Sequence, residues 1–295
     1  AYNQGPGAVA VGHVAGSYCQ SQGAVAVGSH AGRYYQSSEA TAVGHYAGNG
    51  CQGYHAVAIG ASAGECCQGW LAVAIGRAAG ANNQRESAVA VGHIAGACCQ
   101  GHGAVAMGTR AARWSQQTYA VAVGPHSAQY NQQSNAVAIG AYAVESPVLY
   151  WTLQHSAGDG LDNTITVVNG YDISVIRPGM YLDGNGYSMM LIVSVVGQVL
   201  TLAGVPNNGS VLQDGYFSVY AYQGANSVAI GSYAARYVQH SDSIVINATG
   251  SEVQSAGSGT TVIQTLRTVT GGSAPGGFSP VYYDPTTGEL IVVTP

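Results

Sequence analysis

The chain of 295 residues carries a formal net charge of −5, only 7% charged residues and no lysine, yet 47% of it is nominally hydrophobic and 43 residues are glycine. Globular domains ordinarily hold about a quarter charged residues, and disordered chains pair low hydrophobicity with high net charge, so neither description fits. With two Phe and four Met, a conventional core of large side chains is excluded over most of the length. The scarcity of basic residues excludes the phosphate-neutralising surface of a nucleic-acid binder.

From the N-terminus, no charged segment followed by an apolar one reads as a signal peptide. No apolar run approaches the ~20 residues of a membrane-spanning helix, so membrane insertion is not expected. Instead Ala-Val-Ala-Val/Ile/Met-Gly begins at residues 8, 24, 56, 72, 88, 104, 120 and 136, with Ala-Thr-Ala-Val-Gly at 40, a spacing of 16 throughout. Twelve positions after each start but the last stands a glutamine: Gln20, Gln36, Gln52, Gln68, Gln84, Gln100, Gln116 and Gln132, with Gln4 before the first. A second column is small, running from Ala15 through Ser127 to Ala143. Period-two alternation and a unit too short for a helix pair exclude a helical repeat and predict one β-solenoid coil per 16 residues.

Alternation places Val9 and Val11, or Val57 and Ile59, on one strand face and the alanines on the other. The expectation is that the larger residues fill the coil and that the alanines form an outer strip about 40 Å long at ~4.8 Å per coil. A thin coil buries little, so three such strips packed about an axis would make a homotrimer. The glutamines are expected to form an amide ladder from coil to coil.

AVAVGHVAG, AVAIGASAG and AVAIGRAAG resemble the head repeats of YadA-like trimeric autotransporter adhesins over about 8–144, and SVAIGSYAARYVQ (227–239) resumes the pattern. The resemblance implies an all-β, left-handed parallel β-roll, an intertwined or side-by-side homotrimer, and adhesion to a surface. The family's heptad stalk, neck and C-terminal anchor strands are not recognisable in this sequence.

The first domain is thus expected at 1–145. Between 146 and 222 the repeat gives way to NTITVV, NGYDISVI and a V-x-x-V-x-G-Q-V-L-T-L hairpin, predicting an inserted small β-barrel-like domain similar to modules of phage and giant-virus fibre proteins. Coils resume over 223–250. A strand at 260–269 and a Gly-rich linker occupy 251–277, and VYYDPTTGELIVV predicts a β-hairpin within 278–295. Similar YYDPTTGEL endings occur in structural proteins of phages and large DNA viruses, which implies a virion fibre.

Candidate sites are few. Tyr18, Tyr34, Tyr35, Trp114, Tyr130 and Tyr237 stand beside the glutamine column, where an exposed ring either stacks on sugar or shields the coil edge. Cys19, Cys51, Cys66, Cys67, Cys98 and Cys99 share two columns; Cys51 and Cys67, one coil apart, are within disulfide reach. Neither these thiols nor His13, His30, His45, His93 and His126 form an expected metal site, and no cofactor is expected. No Ser/His/Asp order or phosphate loop is present, and Asp159, Asp162, Asp172, Asp183 and Asp214 read as turn residues rather than a hydrolase pair. The expected function is a non-catalytic trimeric fibre attaching a virion or cell to a host-surface glycan or protein receptor, in an extracellular setting. A bacterial adhesin head and a purely structural fibre subunit are the alternatives.

Overall fold

The computed structural model describes residues 2–144 throughout, most of 223–264 and, elsewhere, chiefly the strands given below. The described residues contain no helix. The chain divides into two units, Ala1–Gln264 and Thr265–Pro295.

The first unit is built on a parallel β-solenoid of about 12 turns. Each of the first nine turns contributes one short strand to each of two sheets, and the last three a strand to one. One sheet has nine strands, from Tyr2–Gln4 to Tyr130–Gln132, each ending on a column glutamine. The other has twelve, from Val9–Val11 to Val137–Ile139 and then Val228–Ile230, Ile244–Asn247 and Thr261–Gln264. Register is strict: Val57 pairs with Val73 and Ala58 with Ala74. It survives the interruption, since Val137 pairs with Val228. The Thr261–Gln264 strand, expected outside the coils, is their last strand, and pairs Ile244 with Thr261. Its 17-residue step hides it from a search at a period of 16.

The turns depend on backbone that most side chains avoid. Gly28 has φ of +130°, and a Cβ there would lie 2.5 Å from the Gly44 carbonyl oxygen of the next coil. The turn also places β-branched Val14 and Ile94 at φ of 57° and 61°, a conformation costing about 1–2 kcal/mol each. Inter-coil hydrogen bonds oppose that cost at every step: Val25 N–H donates to Ala40 O at 2.9 Å, and Ser21 N–H to Gln36 O at 2.9 Å.

The strand faces are reversed from the sequence expectation. The alanines point inward: Ala56, Ala58 and Ala63 have no exposure, as do their equivalents in neighbouring coils. Val and Ile point outward, with Val11 57% and Ile59 39% exposed. The reason is the width of the coil, which a single glutamine side chain spans. Gln36 Nε2 lies 2.8 Å from Val25 O and 3.1 Å from Ala40 O, on two neighbouring coils of the facing side. Only a methyl group fits beside it. The alanines are therefore the core and no outer Ala strip exists. The outward positions of the twelve strands are Val, Ile or Met except at Thr41 and Thr261.

Within 146–222, six strands form an antiparallel sheet in the order Leu149–Leu153, Gly215–Tyr220, Tyr181–Gly184, Tyr187–Val196, Val199–Leu202, Thr164–Thr166. The largest buried apolar side chains, Ile176, Met180, Leu182, Ile192, Leu200 and Leu202, belong to this stretch. In the second unit Val281–Tyr283 pairs antiparallel with Leu290–Val292, Tyr282 opposite Ile291.

Candidate functional site

Beneath the nine-stranded sheet lies the amide column. Gln20, Gln36, Gln52, Gln68, Gln84, Gln100, Gln116 and Gln132 are all buried. Each Nε2 donates to the Oε1 of the next, at distances from 2.9 Å at Gln116–Gln132 to 3.2 Å at Gln52–Gln68 and Gln68–Gln84. The chain of amides crosses the interruption: Gln132 donates to Gln223 and Gln223 to Gln239, both at 2.9 Å. Gln223 was missed by the sequence reading, although it stands four residues before Ser227 as Gln20 stands before Ala24. At the other end Gln4 donates to Ala8 O and leaves the buried Gln20 Oε1 without a donor. Every ladder Nε2 is committed inside the coil, so the column supplies structure and no contact to a ligand.

Outside the column, aromatic rings stack along the solenoid axis. Tyr18 and Tyr34 lie 5.2 Å apart at 12°, with the Arg33 guanidinium 4.6 Å from the Tyr34 ring centre. Arg113 covers Trp114 at 5.1 Å. Tyr18, Tyr35 and Trp114 are exposed, and Tyr34 and Tyr130 are half-buried. Tyr237 lies outside the described residues, as do Asp159, Asp162, Asp172 and Asp214; the side chain of Asp183 is likewise not described.

A second aromatic edge was missed. Tyr54, Trp70 and Tyr119 occupy the turn after the glutamine column and are exposed, Trp70 by 64%. The Tyr54 ring meets His55 at 3.9 Å and Tyr119 meets His102 at 5.3 Å, while His55 and His102 pair with Glu39 and Glu86. Tyr54 and Trp70 are 16 residues apart and follow Gly53 and Gly69; reading that column as the others were read would have found them.

The cysteines open onto the outer face of the nine-stranded sheet. Cys51 and Cys67 are register partners on adjacent strands, both exposed and both free thiols. Cys98 and Cys99 bring their sulfurs to 3.2 Å. Burial, followed by the hydrogen bond and the charge of Cys99, pushes the Cys98 thiol up to about 11. Along this column Asn83, Cys99 and Ser115 have left-handed backbone, φ 52–60°, whereas Cys51 and Cys67 do not. Where the backbone changes path, a groove of about 670 Å³ runs over the coils, walled by Cys51, Cys67, Asn83, Arg85, Cys99 and Gln117.

The histidines form no metal centre among the described residues. His30 stacks on Tyr46 at 4.5 Å and lies 5.5 Å from His13 and 6.3 Å from His45. Desolvation, then Arg33 and the two neighbouring histidines, holds its pKa below the ordinary 6.5. Arg77 Nη1 donates to His93 Nε2 at 3.0 Å.

Compared with protein-family models, curated proteins and solved structures, the chain gives no match.

Proposed function

We propose that the chain is the shaft of a non-catalytic, trimeric extracellular fibre that attaches a virion or cell to a host surface. The observation that carries this reading is the outward Val/Ile face of the twelve-stranded sheet. Val9, Val11, Ile59, Ile75, Met107, Ile139, Ile230 and Ile244 are all exposed on it. At ~4.8 Å per strand the stripe is about 50 Å long. An unbroken apolar strip of that length exceeds what monomers leave to water and marks an association surface. Three stripes converging on one axis would bury it, and the number three rests on the resemblance to trimeric adhesin repeats. The stripe replaces the alanine strip as the contact between copies.

In this reading the uniform coils are a spacer and recognition belongs where the pattern is broken, at the 146–222 insertion and the exposed aromatic edges, since binding residues concentrate on segments held by a rigid scaffold. The same fold would serve as a bacterial adhesin head or a purely structural fibre subunit. Ile59→Asp with Ile75→Asp tests the assembly. Both side chains are outward, so the coils should still form while light scattering at micromolar concentration falls from trimer to monomer; a monomeric parent chain, or a trimeric double variant, refutes the interface. Attachment is tested by deleting 146–222, rejoining the coils and measuring binding to host surfaces.

A further inference from the structure

We propose that the groove between Cys51 and Thr118 binds a carboxylate-bearing oligosaccharide, an assignment that deepens, and rests on, the attachment reading above. The groove holds about 670 Å³, within the ~300–1,000 Å³ of ligand sites. Its lining runs from Cys51 to Ser115, one column residue per coil over five coils, or about 19 Å at ~4.8 Å per coil. That is an extended slot for several linked rings, not a socket for one.

Its floor and walls differ in chemistry. The floor includes Gly69, where a Cβ would lie 2.5 Å from Glu86 N, so coil stacking keeps it bare. Gln68 and Gln84 below are consumed by the ladder. The walls are uncommitted: the side chains of Asn83, Arg85, Gln117 and Thr118 have no hydrogen bond or ion pair with any described residue. Amides and a hydroxyl in a row match the alternating donors and acceptors of sugar hydroxyls.

Arg85 decides the charge. Among the described residues it is the one charged side chain lining the groove. The neighbouring Glu86 does not neutralise it, because its carboxylate faces His102 at 3.9 Å. A guanidinium fork free in this way takes a carboxylate through two parallel hydrogen bonds. A single cation is too little for a polyphosphate chain, and the thiols of Cys51, Cys67 and Cys99 add only weak donors. Next to the lining in sequence, Trp70 directly follows Gly69, and Tyr54 follows Gly53 one coil away; both rings are exposed. Such rings offer an apolar face to the C–H face of a sugar. The groove lies on the nine-stranded sheet, whereas the Val/Ile stripe lies on the other, so association through the stripe leaves it open. Three copies would then add avidity to a weak site.

The experiment titrates the full chain with hyaluronate tetrasaccharide and sialyllactose as acidic probes, chitotetraose as the neutral probe and a short poly-glutamate peptide, by calorimetry and saturation-transfer NMR. The acidic sugars should bind at least about tenfold tighter than chitotetraose, the factor that one charge-assisted contact supplies. Arg85→Ala should remove that preference and Arg85→Lys restore part of it. Trp70→Ala should weaken acidic and neutral sugars alike, and Tyr18→Ala, two coils before the first lining residue, should change neither. Equal binding of acidic and neutral sugars, tighter binding of the peptide, or indifference to both Arg85→Ala and Trp70→Ala overturns the assignment. Surface attachment that persists in the Arg85→Ala/Trp70→Ala double variant overturns the groove's role while leaving the attachment reading standing. Sugar binding by a chain that attaches to no surface supports the groove and refutes that reading.

Discussion

Replacing Gln68 with leucine tests how much of the solenoid's stability resides in its amide column. The side chain is 3% exposed. Its Nε2 donates to Val57 O at 2.7 Å, Ala72 O at 3.2 Å and Gln84 Oε1 at 3.2 Å, and its Oε1 accepts from Gln52 Nε2 at 3.2 Å. Two of these partners are insured. Ala72 O retains the Val57 N–H at 2.9 Å, and Gln52 Nε2 retains Thr41 O at 2.8 Å and Ala56 O at 3.2 Å. Gln84 Oε1 loses the donor that the preceding coil supplies. Stranding one buried acceptor costs about 1–3 kcal/mol, and each lost N–H bond about 1 kcal/mol. Leucine recovers part through apolar burial, but its branched end meets the Gly64 backbone, where an added Cβ would already sit 2.8 Å from Gln68 Oε1. The net loss is about 2–3 kcal/mol, or roughly 3–5 °C in melting midpoint for a chain of this size. Calorimetry measures the shift, and hydrogen exchange should place the loosening at residues 52–84, since a solenoid opens locally. Gln117→Leu, one position after the column and exposed, should stay within about 0.5 kcal/mol of the parent. An unchanged midpoint in Gln68→Leu would refute the account of the ladder as a stabilising element.

Gly76→Ala should cost ~3 kcal/mol or more, because the position has φ +123° and a Cβ would lie 2.6 Å from Gly92 O; thermal unfolding checks it. His30 is held below its ordinary pKa, so the unfolded chain binds more protons, and stability should fall as pH drops through 6.5 toward the lower folded value. Protection factors of the amides around residues 28–33, with intrinsic exchange divided out, should therefore fall between pH 7 and pH 5, and His30→Ala should abolish the change. Cys98, raised to about 11, should alkylate slowly at pH 8 and progressively faster as pH approaches that value, followed by mass spectrometry of the alkylated peptide. Ala58→Leu should destabilise the coil itself, by roughly 1–3 kcal/mol through overpacking, leaving the association of the remaining folded chains intact by light scattering.

The 16-residue coil was legible because every column is set by a local requirement that recurs without slippage: glycine where φ exceeds +100° against the next coil, glutamine where an amide must bridge coils, and alternation across a three-residue strand. The sequence alone also marked the interruption at 146–222 and the return at 227, since loss of a strict period needs no structure to see. Three things required the tertiary structure. Alternation separates two faces but does not say which is inside; that depends on how near the opposing segment lies, and one glutamine's reach leaves room for Ala58 and none for Ile59. The Thr261–Gln264 strand joins the twelve-stranded sheet after a 17-residue step, which only strand pairing reveals. The groove lined by Arg85 spans Cys51 and Cys67, whose backbone lacks the left-handed φ of Asn83 and Cys99, a difference that the identity of the residues does not announce.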